Sequence, residues 1–169
     1  MDIYDLIRLR KSVRSYLSKE IEEDKLARVL EAGRLAPSAG NRQEWRFVIV
    51  KDENTRRKVA DASNHAFIAE APVIIACCAE TDGHLMPCGL PSFSIDVAIA
   101  IDHITLAAAA EGLGTCWIGG FNAEKAKAAL NIPDGVEVVE LLPIGYPVDP
   151  SEVDKKRKTI DEIVRYDAW

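Results

Sequence analysis

Hydrophobic and polar positions change rhythm repeatedly along this chain of 169 residues, and each rhythm predicts an element. Asp2 suits a helix N-cap, and Ile3, Leu6 and Ile7 follow at helical spacing on one face. From Glu22 to Arg34 the same period returns with Leu26, Val29, Leu30 and Gly33, and Pro37 then forbids easy continuation. Arg46–Val50 (RFVIV) has the β-branched and aromatic content of a strand. Glu53 to Ala62 reads as a polar, exposed helix. Behind Pro72, Val73–Ala79 (VIIACCA) reads as a second, buried strand.

A stretch from about Ser94 to Glu111 is apolar on most sides, which predicts a helix running through the core, ended by Gly112 and Gly114. Asp96, Asp102 and His103 interrupt it, so it reads as a buried helix and not as a membrane span. Thr115–Ile118 predicts a third strand, Asn122 caps a helix reaching Leu130, and Val136–Ile144 predicts a fourth strand. Strands alternating with helices indicate an α+β or α/β fold with a mixed central sheet flanked by helices. With no internal repeat or linker, residues 1–169 read as one domain. Four strands are few for a sheet of this size. The tail from Ser151 to Trp169 also carries Ile160, Ile163, Val164, Tyr166 and Trp169, which need somewhere to bury. Reaching across to a second subunit would solve both problems.

Composition is that of an ordinary soluble protein, 48% hydrophobic and 28% charged. A net charge of -6 argues against nucleic-acid binding and against attachment to an anionic membrane. Met1-Asp2-Ile3-Tyr4-Asp5 lacks the basic start and apolar run of a signal peptide. Cys77, Cys78, Cys88 and Cys116 form no CxxC and no paired metal spacing, so no metal site is expected. Reduced, mostly buried thiols in a cytoplasmic protein are the expectation. Cys77 and Cys78, adjacent on a strand, should face opposite ways.

Against this acidic background Arg8, Arg10, Lys11 and Arg14 crowd into seven residues around Ser12, and Lys155–Lys158 forms a second basic run. Guanidinium forks, ammonium groups and a hydroxyl suit a bound phosphate gripped from two sides; two solvated charge runs are the alternative. No G-x-S-x-G, H-E-x-x-H, Walker A or G-x-G-x-x-G occurs. Asp82, His84 and Cys88 share one loop, where a metal or a thiol nucleophile is conceivable but isolated loop side chains are the commoner case. His103, inside the apolar helix, reads as a hydrogen-bonded core residue. The loop Leu35 to Trp45 offers Asn41 and Gln43 amides that both donate and accept, as recognition of a heterocycle requires. Gly119 and Gly120, just past a strand, would let a flat ligand approach the backbone closely.

Together these segments resemble the FMN-dependent nitroreductase family over essentially the whole chain. Arg10-Lys11-Ser12-Val13-Arg14-Ser15-Tyr16 is similar to its R-x-S-x-R-x-[FY] motif, and Pro37 to Trp45 to its P-S-[SA]-x-N-x-Q-P-W loop. Glu111 to Gly114 with Trp117 to Phe121 resembles its G-L-G-x-x-W-I-G-G-F segment. Pro143 to Pro147 resembles its P-x-G-[YE]-P strand end, and Lys155 to Lys158 its K-x-R. Ala39 and Glu44 stand where the family more often has Ser and Pro.

The resemblance implies an α+β homodimer with FMN at the interface and a C-terminal arm, about residues 151–169, extending over the partner. It assigns Arg10, Ser12 and Arg14 to the FMN phosphate and ribityl chain, Lys155 and Arg157 to the phosphate, and Lys11 to the pyrimidine end of the ring. Pro37, Ser38, Ala39, Asn41 and Gln43 would reach the flavin from the partner subunit, and Ile118, Gly119 and Gly120 would line the ring near N5. No side chain is expected to be catalytic, because the flavin carries the chemistry. NADH or NADPH would be the donor and a nitroaromatic, quinone or related small molecule the acceptor. His84, Met86, Cys88 and Phe93 would tune acceptor choice. The alternatives are a reductive dehalogenase-like or flavin-fragmenting branch, a flavin-binding or storage protein, and an electron-transfer partner of a redox protein.

Overall fold

The computed structural model describes residues 2–169. Helix α1 (Ile3–Leu9) starts in a reciprocal cap: Asp2 accepts from the Asp5 N–H at 2.9 Å, and Asp5 accepts from the Asp2 N–H at 3.2 Å. None of its residues is buried, so Ile3, Tyr4 and Ile7 lie open on the single protomer. Helices α2 (Glu23–Arg34), α3 (Glu53–Asp61), α4 (Ser92–Ala110) and α5 (Ala123–Leu130) follow the expected periods. Asp52 and Asn122 cap α3 and α5 through the Thr55 and Lys125 N–H groups. The tail forms one short helix, α6 (Ile160–Ile163).

Strands β1 (Trp45–Val50), β2 (Val73–Glu80), β3 (Gly114–Thr115) and β4 (Val136–Gly145) lie in the order β1-β2-β4-β3. The fold is α+β as expected, but every pair of these strands is antiparallel. The mixed character of the sheet reduces to a parallel bridge between Ser12 and Thr115, because by Tyr16 the N-terminal segment pairs antiparallel with Pro147. The third strand is also shorter than its pattern. Pairing stops at Thr115 and resumes only as a bridge from Ile118 to Leu141, so Cys116 and Trp117 lie outside the ladder.

Helices cover both faces of the sheet. On one, Leu26 and Val29 of α2 and Val97, Ile101 and Ile104 of α4 pack on Ile75, Cys77, Leu142 and Ile144. On the other, Val59 and Ala60 of α3 pack with Ile74, Ala76, Cys78 and Leu141. Each such aliphatic side chain contributes about 1.5–3 kcal/mol on burial. Cys77 and Cys78 thus enter opposite cores, as strand alternation requires. Cys116 is buried too, whereas Cys88 is exposed. Helices α2 and α4 approach closely at Gly33, where a methyl group would stand 2.8 Å from Ile104 Cδ1.

Helix α4 has the length and hydropathy of a membrane crossing, and one of its sides is packed in this core. Its opposite side is more open: Ile95 is exposed, and Ala98, Ile99 and His103 are half-buried along an open groove. His103 is therefore no core histidine. Its side chain makes no hydrogen bond among the described residues, because it falls on the face of α4 that turns away from the sheet.

Candidate functional site

The basic segment after α1 is held along the sheet edge by backbone bonds. The Val13 N–H donates to Thr115 O at 2.9 Å, the Leu17 N–H to Tyr146 O at 2.8 Å, and the Val148 N–H to Ser15 O at 3.1 Å. Strand-like alternation turns Val13 inward and leaves Ser12 and Arg14 exposed. A side chain at position 114 would overlap Val13, so glycine there lets the segment lie this close. Tyr16, the last residue of the motif, is buried and donates to Val13 O at 2.7 Å and Pro143 O at 3.4 Å. Burial drives its phenol well above the usual range, so the hydroxyl is a permanent donor. Sequence reading gave Tyr16 no role; it clamps the basic strip.

The second basic run comes to the first. Lys155 Nζ donates to Ile7 O at 2.7 Å, and Lys11 Nζ donates to Ser151 O, which pins residues 151–155 against the end of α1. Lys155 is held below the usual lysine range, first by burial and then by the charges of Arg10 and Arg157. Among the described residues none of Arg10, Arg14, Lys155 and Arg157 pairs with a carboxylate. Lys155 with Arg10 and Arg157 beside it, and no carboxylate paired to any of the three among the described residues, is a donor set suited to a phosphate, whose oxygens accept from several donors at once. Of these cations Arg10 also lines a cavity of about 140 Å³, together with Lys11, Val13, Thr105, Leu113 and Thr115.

Beyond β3 the chain leads to Gly119 and Gly120. Ile118 is buried and exchanges both backbone bonds with Leu141, at 3.0 and 3.2 Å, which fixes the exposed glycine pair that follows. A methyl group on Gly119 would lie 3.6 Å from Glu140 Oε2, and one on Gly120 would lie 3.4 Å from His65 Nε2. The pair is thus flanked by a carboxyl and an imidazole that the sequence reading passed over. Glu140 did leave a signal: it is the one charged residue in the run Val138–Tyr146. Burial pushes its carboxyl up to about 7.

The loop from Pro37 to Gln43 folds elsewhere on the same protomer. Ala39 N–H donates to both carboxylate oxygens of buried Asp96, at 3.1 and 3.2 Å. Ser38 Oγ accepts from the Gln43 N–H at 3.0 Å, and Gln43 Nε2 donates to Asn41 Oδ1 at 3.0 Å. Gly40, Asn41 and Gln43 all adopt positive φ, so the loop is a tight turn that Asn and Gly tolerate. No hydrogen bond among the described residues joins it to the Arg10–Arg14 strip or to Gly119 and Gly120. Glu44, where the resemblance expects proline, is buried. Arg42 bonds its Oε1 at 3.3 Å, and its Oε2 has no partner among the described residues.

Arg42 also pairs with Asp82 at 2.7 Å, tying this loop to the 81–91 loop. There His84 and Cys88 are exposed and Met86 is half-buried in a turn closed by Met86 N–H to Leu90 O at 2.9 Å. Phe93 parts from the other three: it sits in the first turn of α4 and packs on the core beside Val97.

A model of the Nitroreductase family matches residues 7–73 and 62–146. The chain is 31% identical over 152 residues to a putative NADH dehydrogenase/NAD(P)H nitroreductase of Archaeoglobus fulgidus, covering 87% of this chain and 86% of that one. It is 30% identical to the FMN reductase [NAD(P)H] of Bacillus subtilis, covering 92% of this chain and 69% of the relative. Among solved structures, a nitroreductase family protein of Clostridium difficile 630 superposes with a TM-score of 0.90 at 31% identity over all of both chains.

Proposed function

Because this chain belongs to the nitroreductase family, we propose that its two basic runs hold FMN over Gly119 and Gly120, and that NAD(P)H and a small acceptor use the same cleft in turn. Its class, an NAD(P)H-dependent oxidoreductase with FMN as cofactor, follows from the family and from the FMN reductase [NAD(P)H] among its relatives. When bound, FMN supplies the two-electron chemistry, accepting hydride from the nicotinamide and passing the electrons to a nitroaromatic, quinone or related acceptor. The observation that carries the reading is the meeting of the two basic runs, where Lys155 bonds Ile7 O beside Arg10 and Arg157 and no carboxylate among the described residues pairs with any of the three.

In this reading Arg10, Lys155 and Arg157 bind the phosphate, and Ser12 and Arg14 on the exposed side of the strip serve the ribityl chain. Lys11 adds positive charge toward the pyrimidine end of the ring, where it favours an anionic reduced state. Ile118, Gly119 and Gly120 present backbone to the ring without a side chain to hold it off. Pro37, Ser38, Ala39, Asn41 and Gln43 act on the partner's flavin. Such an arrangement accounts for a loop whose own protomer does not join it to the basic strip. The homodimer also covers what one protomer leaves open: Ile3, Tyr4 and Ile7 of α1, the Ile95 face of α4, and the apolar side chains of the tail. His84, Met86 and Cys88 border the acceptor. A cytoplasmic setting fits the three buried, reduced thiols.

Initial-rate measurements test the shared cleft. Double-reciprocal lines for NAD(P)H at several acceptor concentrations should be parallel, because donor and acceptor cannot both occupy hydride-transfer distance on one ring face. Gly120→Val, which would press on His65, should slow flavin reduction more than it weakens FMN binding. Intersecting lines with a trapped ternary complex would require separate donor and acceptor sites.

A further inference from the structure

Glu140 lies beneath Gly119 with no assigned task. It stands in β4 opposite Cys77, at the point where the β2–β4 register slips and Val139 is left without a partner. The adjoining Leu141 is the residue that anchors Ile118. Both Glu140 oxygens would lie within 3.7 Å of a methyl group on Gly119, so a longer side chain there would compete with the carboxyl for space. Its side chain has no hydrogen bond and no ion pair among the described residues. A half-buried carboxyl in a strand otherwise apolar from Val138 to Ile144 weakens the fold unless another use retains it.

We propose that Glu140 is a proton-holding residue coupled to the redox state of the cofactor: it binds one proton from water when the ring is reduced and releases it when the ring is oxidised. This rests on the placement of FMN over Gly119 and Gly120. The balance is simple. The dihydronicotinamide supplies both electrons with its hydride, which makes the bound ligand one charge more negative. Glu140 takes up H⁺ and no electrons, its carboxylate becoming a carboxylic acid. On oxidation the acceptor takes the hydride equivalent and the Glu140 proton is released, so a quinone that gains both becomes a quinol.

The surroundings favour a group that responds to such a charge. Burial alone raises its carboxyl, to about 7, and no neighbouring charge moves it. The groups facing it are the Cys77 thiol from β2 and the Cys116 thiol from the segment after β3, both driven up chiefly by burial and so uncharged at neutral pH. Arg14 and Ser12 act on Cys116 and not on Glu140. His65 stands against Gly120, the neighbouring glycine. A ligand charge arriving above Gly119 therefore meets a carboxyl poised near neutrality and without a competing ion.

The test is the reduction potential of bound FMN in the wild-type protein and in Glu140→Gln, titrated from pH 5 to 9 after FMN retention has been checked by absorbance. The two curves should coincide below about pH 6, where Glu140 is protonated in both redox states. From about pH 7 the wild type should fall more steeply and lie below the variant. One proton per electron pair, a tenfold change per pH unit, corresponds to about 30 mV per pH unit. Parallel or superposed curves would overturn the proposal while leaving FMN binding intact. If neither protein held FMN, the flavin placement and this proposal would fall together. Reduced-minus-oxidised infrared spectra of the wild type alone provide a second measurement should the variant fail to fold. At pH 7.5 they should gain a protonated-carboxyl band, and its absence would count against the proposal.

Discussion

Removing Ile160–Trp169 is expected to give a monomeric or aggregating, flavin-poor protein in place of the proposed flavin-bearing homodimer. On one protomer most of their apolar side chains lie open: Tyr166 is 83% exposed, Trp169 fully so, and Ile160 and Ile163 are exposed as well. Burying each aromatic against a partner contributes about 1.5–3 kcal/mol, a large share of the 5–15 kcal/mol by which proteins of this kind are typically stable. By breaking the proposed dimer, the same truncation would also leave α1 and the outer face of α4 as open as they are on the single protomer. Sedimentation and flavin absorbance of the truncated chain check it, and a well-behaved monomer that retains FMN would contradict the arm exchange.

Arg10→Ala and Arg157→Ala should each weaken FMN binding by about 10- to 100-fold, since a hydrogen bond to a charged group contributes about 1.5–3 kcal/mol. Riboflavin, which lacks the phosphate, should lose much less. Relief of like charge works in the opposite direction in the free protein: removing either arginine takes one repulsion away from Lys155 and raises its pKa. The sign distinguishes a phosphate site from a structural one. Cations held together only for folding would gain stability from either substitution and show no difference between the two ligands. Titration calorimetry with FMN and riboflavin reads both effects, and equal losses would mean that the guanidinium groups do not face the phosphate.

Much of this was legible in the sequence because local rules and the fold agree. The β-branched runs of β1, β2 and β4 and the capped helices appear where their periods put them, since core and surface divide cleanly along each. The sheet order was not legible: strand patterns carry no partner, and the Ser12–Thr115 bridge depends on a glycine at 114 that resembles any other turn glycine. His103 was misread because an apolar helix does not announce which of its sides meets a sheet. The convergence of Arg10 and Lys155 could be guessed from charge but not placed, as it depends on Lys155 reaching Ile7 O. Glu140 went unread because one carboxyl in a strand is ambiguous until the chain folds Gly119 over it. Glu44 has no structural explanation beyond its bond from Arg42.

The central claim is that the two basic runs and the glycine pair hold FMN. Purification without added cofactor, followed by an absorption spectrum and mass analysis of what denaturation releases, tests it directly. A yellow protein releasing FMN at close to one per chain is the expected result. FAD or riboflavin in that amount, or a protein that stays colourless and fails to take up added FMN, would contradict it.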